Sequence, residues 1–398
     1  MSQNSFKKLH NISLNFGEIA KSVNASSLDR KEFTENAIAA IEELSETSDF
    51  FLKEVQVISK ENLTLRNRHN QVLSSFNTLN LNVKKQHDIL KQLKIKKGLN
   101  SLLLKQGVLN NKNLSDTLKQ GKSFLEEIIS NSNEIILMDK EIIVNKKRHL
   151  SSISKLRKST QSIIKDAEKA IDGSKLNFDR GKALSKKLQN IESTFAKKDV
   201  QRIKDIIEEF KKGWKLAIKV NNSSQSQFDF AEEVYTFAKL LNESSEKIKK
   251  SVIEKHSLFT KNLDPLMQMA VLIAVDCFDY VTGSEELIEE LMNETFSTKP
   301  EIYHLRNDLY ALIKIVTTEI ESIAALNLDM TDSIDANSRL EEKAVQLTAR
   351  EINLTTTITK EVEMMTEATR YPIEGSAKNI RNGMEVENTL KELLKELR

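Results

Sequence analysis

Apolar residues recur in alternating steps of four and three from Ala37 to Leu93, and this repeat constrains the fold more than any other feature of the chain. Ala37, Ile41, Leu44, Phe51, Val55, Ile58, Leu65, Val72, Phe76, Leu79, Val83, Leu90 and Leu93 carry it. Ser48, Asn62, His69 and Gln86 are the polar positions on the same line. A period of 3.5 residues keeps one narrow face of an α-helix turned toward another helix, so the stripe requires a partner. At 1.5 Å per residue the predicted helix is roughly 85 Å long.

Two further stripes repeat the pattern. Leu118, Leu125, Ile128, Ile135, Ile142, Ile153, Leu156, Ile163, Ala167 and Ala170 form the second, with Ser132, Asp139, Lys146 and His149 as polar members. Ile323, Leu326, Met330, Asn337, Leu340, Ala344, Leu347, Leu354, Ile358 and Met365 form the third, and its seam also accepts Ser333, Glu351 and Glu361. Only 3 prolines and 10 glycines punctuate 398 residues, which suits long helices rather than strands and tight turns. The expected fold is all-α: an elongated antiparallel helical bundle or coiled coil with very long helices and a smaller central helical region. Ser48, Asn62, His69, Gln86, Asn337 and Glu351 are its expected polar layers, fixing register rather than forming a site.

Punctuation suggests the boundaries. Residues 1–25 read as a frayed segment or short helix, and Ser26-Ser27-Leu28-Asp29 offers a cap. A hairpin then covers 26–198, with helices over about 27–97 and 114–197 and a reversal near Gly98, Gly107 and Asn110-Asn111. Residues 199–298 are richer in aromatics and contain a polar stretch, Asn221 to Gln227, read as a loop. Thr282 to Glu285 and Thr298-Lys299-Pro300 mark helix starts. A long helix from 299 ends near 370, before Tyr371-Pro372, and a short terminal helix follows.

The net charge of +2 conceals a strong asymmetry. Residues 84–158 hold 17 Lys and Arg against 7 Asp and Glu, whereas 284–398 hold 13 against 23. Such opposite excesses suit helices lying side by side. The basic clusters Lys94, Lys96, Lys97 and Lys146, Lys147, Arg148, Lys155, Arg157, Lys158 lack a recognition module, so nucleic acid is not an expected partner. The single Cys277, amid Val275, Phe278 and Tyr280, reads as a small buried residue in a reducing compartment. No secretory signal or uninterrupted apolar run of membrane-spanning length is visible, which makes a cytoplasmic location the expectation.

Chemistry leaves little trace. Phosphate-binding and nucleophile-elbow motifs are missing, and Glu301-Ile302-Tyr303-His304 is a lone Glu-x-x-His where a bundle di-metal site uses two. No catalytic residue, cofactor, metal or small-molecule substrate is expected.

The segments Ala40 to Ser45 and Ile315 to Ala324, rich in Ser, Thr, Glu and Ala, resemble the heptads of bacterial chemoreceptor (methyl-accepting) cytoplasmic domains. That resemblance implies antiparallel hairpins that dimerise and dock a kinase and an adaptor. The family's glycine-framed tip motif is missing, and no methylation or tip residue carries over. A second resemblance is to helical pore-forming toxins, in which an apolar tongue lies between long helices. Residues 265–281 would be that tongue, with Leu266, Met269, Val271, Leu272, Ile273 and Val275 as membrane-inserting residues. The leading expectation is a non-enzymatic structural, scaffold or signalling-array protein that pairs with itself and with other helical proteins. Only the toxin-like alternative brings in a membrane.

Overall fold

The computed structural model describes residues 3–96, 101–192, 200–293 and 299–396, and among these there is no strand. α1 spans Gln3–Ile95, α2 Ser101–Glu192, α3 Val200–Leu258, α4 Asp264–Asn293 and α5 Pro300–Glu396. A π-helical turn, Phe259–Leu263, joins α3 to α4. The protein is therefore all-helical with four long helical runs. The expected break at Gly98, Lys97 of the basic cluster and the Thr298 cap lie outside the described residues.

Two compact units divide the chain, and neither follows chain order. Unit 1 combines residues 1–49, 147–247 and 349–398, and unit 2 combines 50–146 and 248–348. Within each, hydrogen bonds and ion pairs give one cyclic order. In unit 1, α1 meets α2 through Ser13 and Gly181, and α2 meets α3 through His149 and Ser245. α3 meets α5 through Trp214 and Glu387, and α5 returns to α1 through Ser48 and Glu351. In unit 2 the same order holds through Asn62–Asp139, Asp139–Lys255, Met292–Arg306 and Asn337–Asn62. α2 and α5 are thus diagonal. The basic and acidic stretches meet at Lys96–Glu301, whereas Lys343–Glu54 and Arg350–Glu43 pair α5 bases with α1 acids.

The helices outrun the punctuation read in the sequence. α1 is helical from Gln3, not frayed to residue 25, and its buried line begins at Leu9 and continues through Ser13, Phe16, Ala20, Val23, Ser27, Arg30 and Thr34. Ser26 is no cap: it lies inside α1, and its hydroxyl donates to Ala368 O rather than to an amide of its own helix. Gly107, Asn110 and Asn111 lie inside α2, which starts at 101 rather than 114. Asn221 to Gln227 is helical, with Ser224 and Gln227 buried. Thr282 and Ser284 sit inside α4 and donate to Phe278 O and Tyr280 O.

The prolines explain why helices continue where breaks are expected. Pro372 lies within α5, and no separate terminal helix follows. Lacking an N–H, it cannot satisfy the carbonyl four residues back, Ala368. Ser26 Oγ of α1 donates to that oxygen at 2.9 Å, so a neighbouring helix supplies the missing bond. Pro265 removes the N–H that would bond residue 261, and the chain widens into the π turn, where Asp264 N–H bonds Phe259 O. Pro300 opens α5, where its missing donor costs nothing.

Cores follow the stripes. In unit 2 one cluster joins Leu65 to Val83, Leu114 to Ile135, Phe259 to Val281 and Val316 to Ile334. In unit 1 another joins Ala37 to Leu44, Ile153 to Ile163, Ala231 to Leu241 and Ile358 to Met365. The α5 seam differs from the expected one at alternate positions. Asn327, Ile334, Glu341, Thr348, Thr355 and Val362 are buried, while Leu326, Leu340, Leu347 and Leu354 are half-buried at the core's edge. Ser333 and Glu361 are also off the buried line.

Candidate functional site

The densest polar chemistry in unit 2 lies on the seams, where α1, α2, α3 and α5 each contribute. Asn62 Nδ2 donates to Asp139 Oδ2 at 2.8 Å, and Asn337 Nδ2 donates to Asn62 Oδ1. Lys255 Nζ lies 2.6 Å from Asp139 Oδ1 and 2.9 Å from Glu341 Oε1. All five side chains are buried. Burial works to strip the Lys255 proton, but the charges of Glu341 and Asp139 outweigh it and raise the ammonium above its ordinary range. Burial pushes the Glu341 carboxyl up, Asp139 adds to this, and Lys255 opposes both. One ammonium against two carboxylates leaves a negative excess in a dry core, which favours retaining a proton.

The remaining expected layers separate by environment. Gln86 Oε1 accepts from Asn111 Nδ2 at 2.9 Å in unit 2, an α1–α2 pair made of the very asparagine read as a break. Ser48 donates to Glu351 Oε1 at 2.7 Å in unit 1. His69 is buried without a partner on Nδ1, and burial, opposed by a hydrogen bond to Leu65, lowers it to about 4. It is therefore neutral near pH 7 rather than poised to titrate there. The structure thus brings Asn62 and Asn337 together and pairs Ser48 with Glu351.

Three charged seam residues escaped an apolar reading of the sequence. Arg30 occupies the heptad position of Val23 and Ala37, Lys255 follows Leu241 and Ile248 at steps of seven, and Glu341 follows Asn327 and Ile334. Extending each stripe by sevens, whatever the residue type, finds all three. Lys146 is also buried, with Nζ 4.9 Å from the centre of the Phe51 ring. It cannot serve a phosphate-binding patch. Arg157 and Lys96 of the same clusters pair with Glu42 and Glu301.

The apolar segment of α4 has two faces. Ile273, Ala274 and Cys277 join the unit 2 core, and Leu266 packs against it. Burial, with Asp276 nearby, pushes the Cys277 thiol up to about 12, which makes it inert. Val271 is half-buried, whereas Met269, Leu272, Val275 and Phe278 are 43%, 64%, 53% and 41% exposed. These four form an i, i+3 row on the outer face. The Val200–Asn293 run contains an 18-residue window of mean hydropathy 1.4, apolar enough by composition to cross a bilayer. Among the described residues, no three His, Cys, Asp or Glu side chains gather as metal ligands.

In comparison with known proteins, the chain matches no family model and no curated protein sequence is similar to it.

Proposed function

We propose that the chain is a non-enzymatic scaffold acting through helix pairing and oligomerisation, with coiled-coil packing along its seams and a cytoplasmic place of work. The observation that carries this reading is the layer of Asn62, Asp139, Lys255, Asn337 and Glu341. Four helices contribute to it, and a shift of α2, α3 or α5 along its seam would strand a buried charge. Such layers serve register more than stability. The seams being occupied within the chain, partners are left the outer faces, and the row Met269, Leu272, Val275, Phe278 is apolar enough to seat a second copy.

Mixed-isotope crosslinking of the purified protein, read with light scattering across concentrations, tests this. Crosslinks between seam-flanking lysines are expected within single chains. Interchain links are expected near α4, lost in a Leu272→Asp/Val275→Asp variant. A monomer at every concentration would remove the oligomerisation reading.

The same α4 face favours a second reading, a helical pore-former whose α4 inserts into lipid. Dye leakage from liposomes that the Leu272→Asp/Val275→Asp variant abolishes would support it, and intact liposomes with the wild type would end it. Ile273 is unsuitable for that test, because it is a core residue.

A further inference from the structure

Arg30 has no place in the scaffold reading. Its side chain is wholly buried on the α1 seam of unit 1, and among the described residues Nε, Nη1 and Nη2 have no hydrogen-bond partner. Burial draws the group down to about 10, with Asp166 opposing, so it keeps its charge at neutral pH. A buried, unpaired guanidinium is strongly disfavoured unless an opposite charge reaches it.

The protein's own carboxylates at this level are engaged elsewhere. Asp166 Oδ1 lies 2.8 Å from Lys169 Nζ, and Glu168 pairs with Lys31 at 3.1 Å. Thr34 donates to the carbonyl of Arg30 itself, Ser27 to Val23 O and Thr369 to Met365 O. The Ser26 to Ala368 bond sets Thr369 opposite this stretch of α1. From α3, Ser223 Oγ donates to Asp166 O, which brings Ser224 and Gln227 to the level of the carboxylate that Arg30 senses. Ser224 Oγ is buried and unpartnered at that level, a second donor, and Gln227 Oε1 is a buried, unpartnered acceptor there that carries no charge to balance the guanidinium.

We propose that the Arg30 level of unit 1 binds a monovalent inorganic anion of halide size, held by the Arg30 guanidinium and the Ser224 hydroxyl. The ligand must accept hydrogen bonds and carry one negative charge, since one unpaired cation faces it. It must also be small, because a close-packed seam leaves few voids larger than a water molecule. Chloride meets all three conditions, whereas phosphate and organic carboxylates fail the third. The site stands independently of the scaffold reading, because it rests on unit 1 alone.

Thermal unfolding of the full chain tests the site, with sodium isethionate replaced stepwise by sodium chloride at constant ionic strength. A saturable rise in Tm of about 2–4 °C is expected. Arg30→Met should remove the chloride dependence and melt no lower than the wild type does in isethionate. Broadening of the chloride-35 resonance by wild-type protein, reversed by excess bromide, reads binding without any variant. Equal Tm in the two salts with no broadening would overturn the proposal, as would chloride dependence retained in Arg30→Met. If Asp166 is the true counter-ion, Asp166→Asn lowers Tm equally in both salts and the wild type shows no chloride effect.

Discussion

Lys255 in unit 2 and Arg30 in unit 1 are both cations on a heptad seam, both fully buried, and opposite in how the surroundings treat them. Lys255 sits between two carboxylates, 2.6 and 2.9 Å away, and its charge is reinforced. Arg30 has no hydrogen-bonded partner among the described residues, and burial draws it down to about 10 against the opposing pull of Asp166. Residue type does not decide the outcome. What decides it is whether neighbouring seams place carboxylates at the same level, as α2 and α5 do for Lys255. One cation is therefore part of an internal register lock, while the other is left to recruit its counter-charge from solution.

Methionine at each position sharpens that contrast most. Lys255→Met strands Asp139 and Glu341 beside each other in a dry core, and a loss of about 3–5 kcal/mol in urea unfolding is expected. Adding Glu341→Gln should recover part of it, since one buried charge then disappears. Arg30→Met removes a charge and strands none, so no loss is expected at low chloride. Equal destabilisation by the two methionines would break the comparison.

The next largest effect is in pH. His69 is lowered to about 4 in the fold from an unfolded value near 6.5. As pH falls through 6.5 the unfolded chain binds a proton that the native state refuses, so stability declines until about pH 4. The full span is worth about 3 kcal/mol. Glu341 acts in the opposite sense. Its raised carboxyl takes up a proton in the fold at a pH where the unfolded chain is still ionised, so it adds stability as pH falls toward the ordinary carboxylate range. Urea midpoints between pH 7.5 and 4.5 should drop for the wild type and flatten for His69→Leu. An unchanged slope in the variant would mean that His69 is not buried neutral.

Ser48 asks whether an expected layer of unit 1 contributes as those of unit 2 do. Its hydroxyl gives the buried Glu351 a 2.7 Å hydrogen bond. Ser48→Ala takes a donor from a buried acceptor and should cost about 1–3 kcal/mol, and Ser48→Thr should restore part of it.

Much of this architecture was legible from apolar spacing, because a buried Leu, Ile or Val marks a seam without ambiguity. The line from Ala37 to Leu93 and that from Leu118 to Ala170 are buried throughout. Legibility failed where the seam carries other residue types. Ser13, Ser27, Arg30 and Thr34 hid the first turns of α1, and Asn327, Glu341, Thr348 and Thr355 made flanking leucines look like the α5 seam. Small hydroxyl residues pass unnoticed because they satisfy themselves on their own helix, as Ser27 and Thr34 do. Pro372 misled for a different reason. Its compensation, the Ser26 hydroxyl on Ala368 O, comes from a residue 342 positions away. The polar layers at Asn62 and Asn337 were readable singly, but their meeting with Lys255 depends on which seams pair, and a single sequence does not encode that as a pattern.

The smallest expected effect on stability falls outside the seams and separates fold from function. Leu272 is 64% exposed on α4, one residue from Ile273, which is buried in the core. Leu272→Asp removes little packing, so its unfolding free energy should stay within about 0.5 kcal/mol of wild type. Ile273→Asp buries an unpaired carboxylate and should unfold that region. If Leu272→Asp leaves the melting curve in place yet lowers the oligomer fraction or abolishes liposome leakage, the outer row of α4 is a working surface. If it alters neither, the row is ordinary exposed apolar surface, and self-association must use another face. A large loss of stability would instead mean that Leu272 packs against protein.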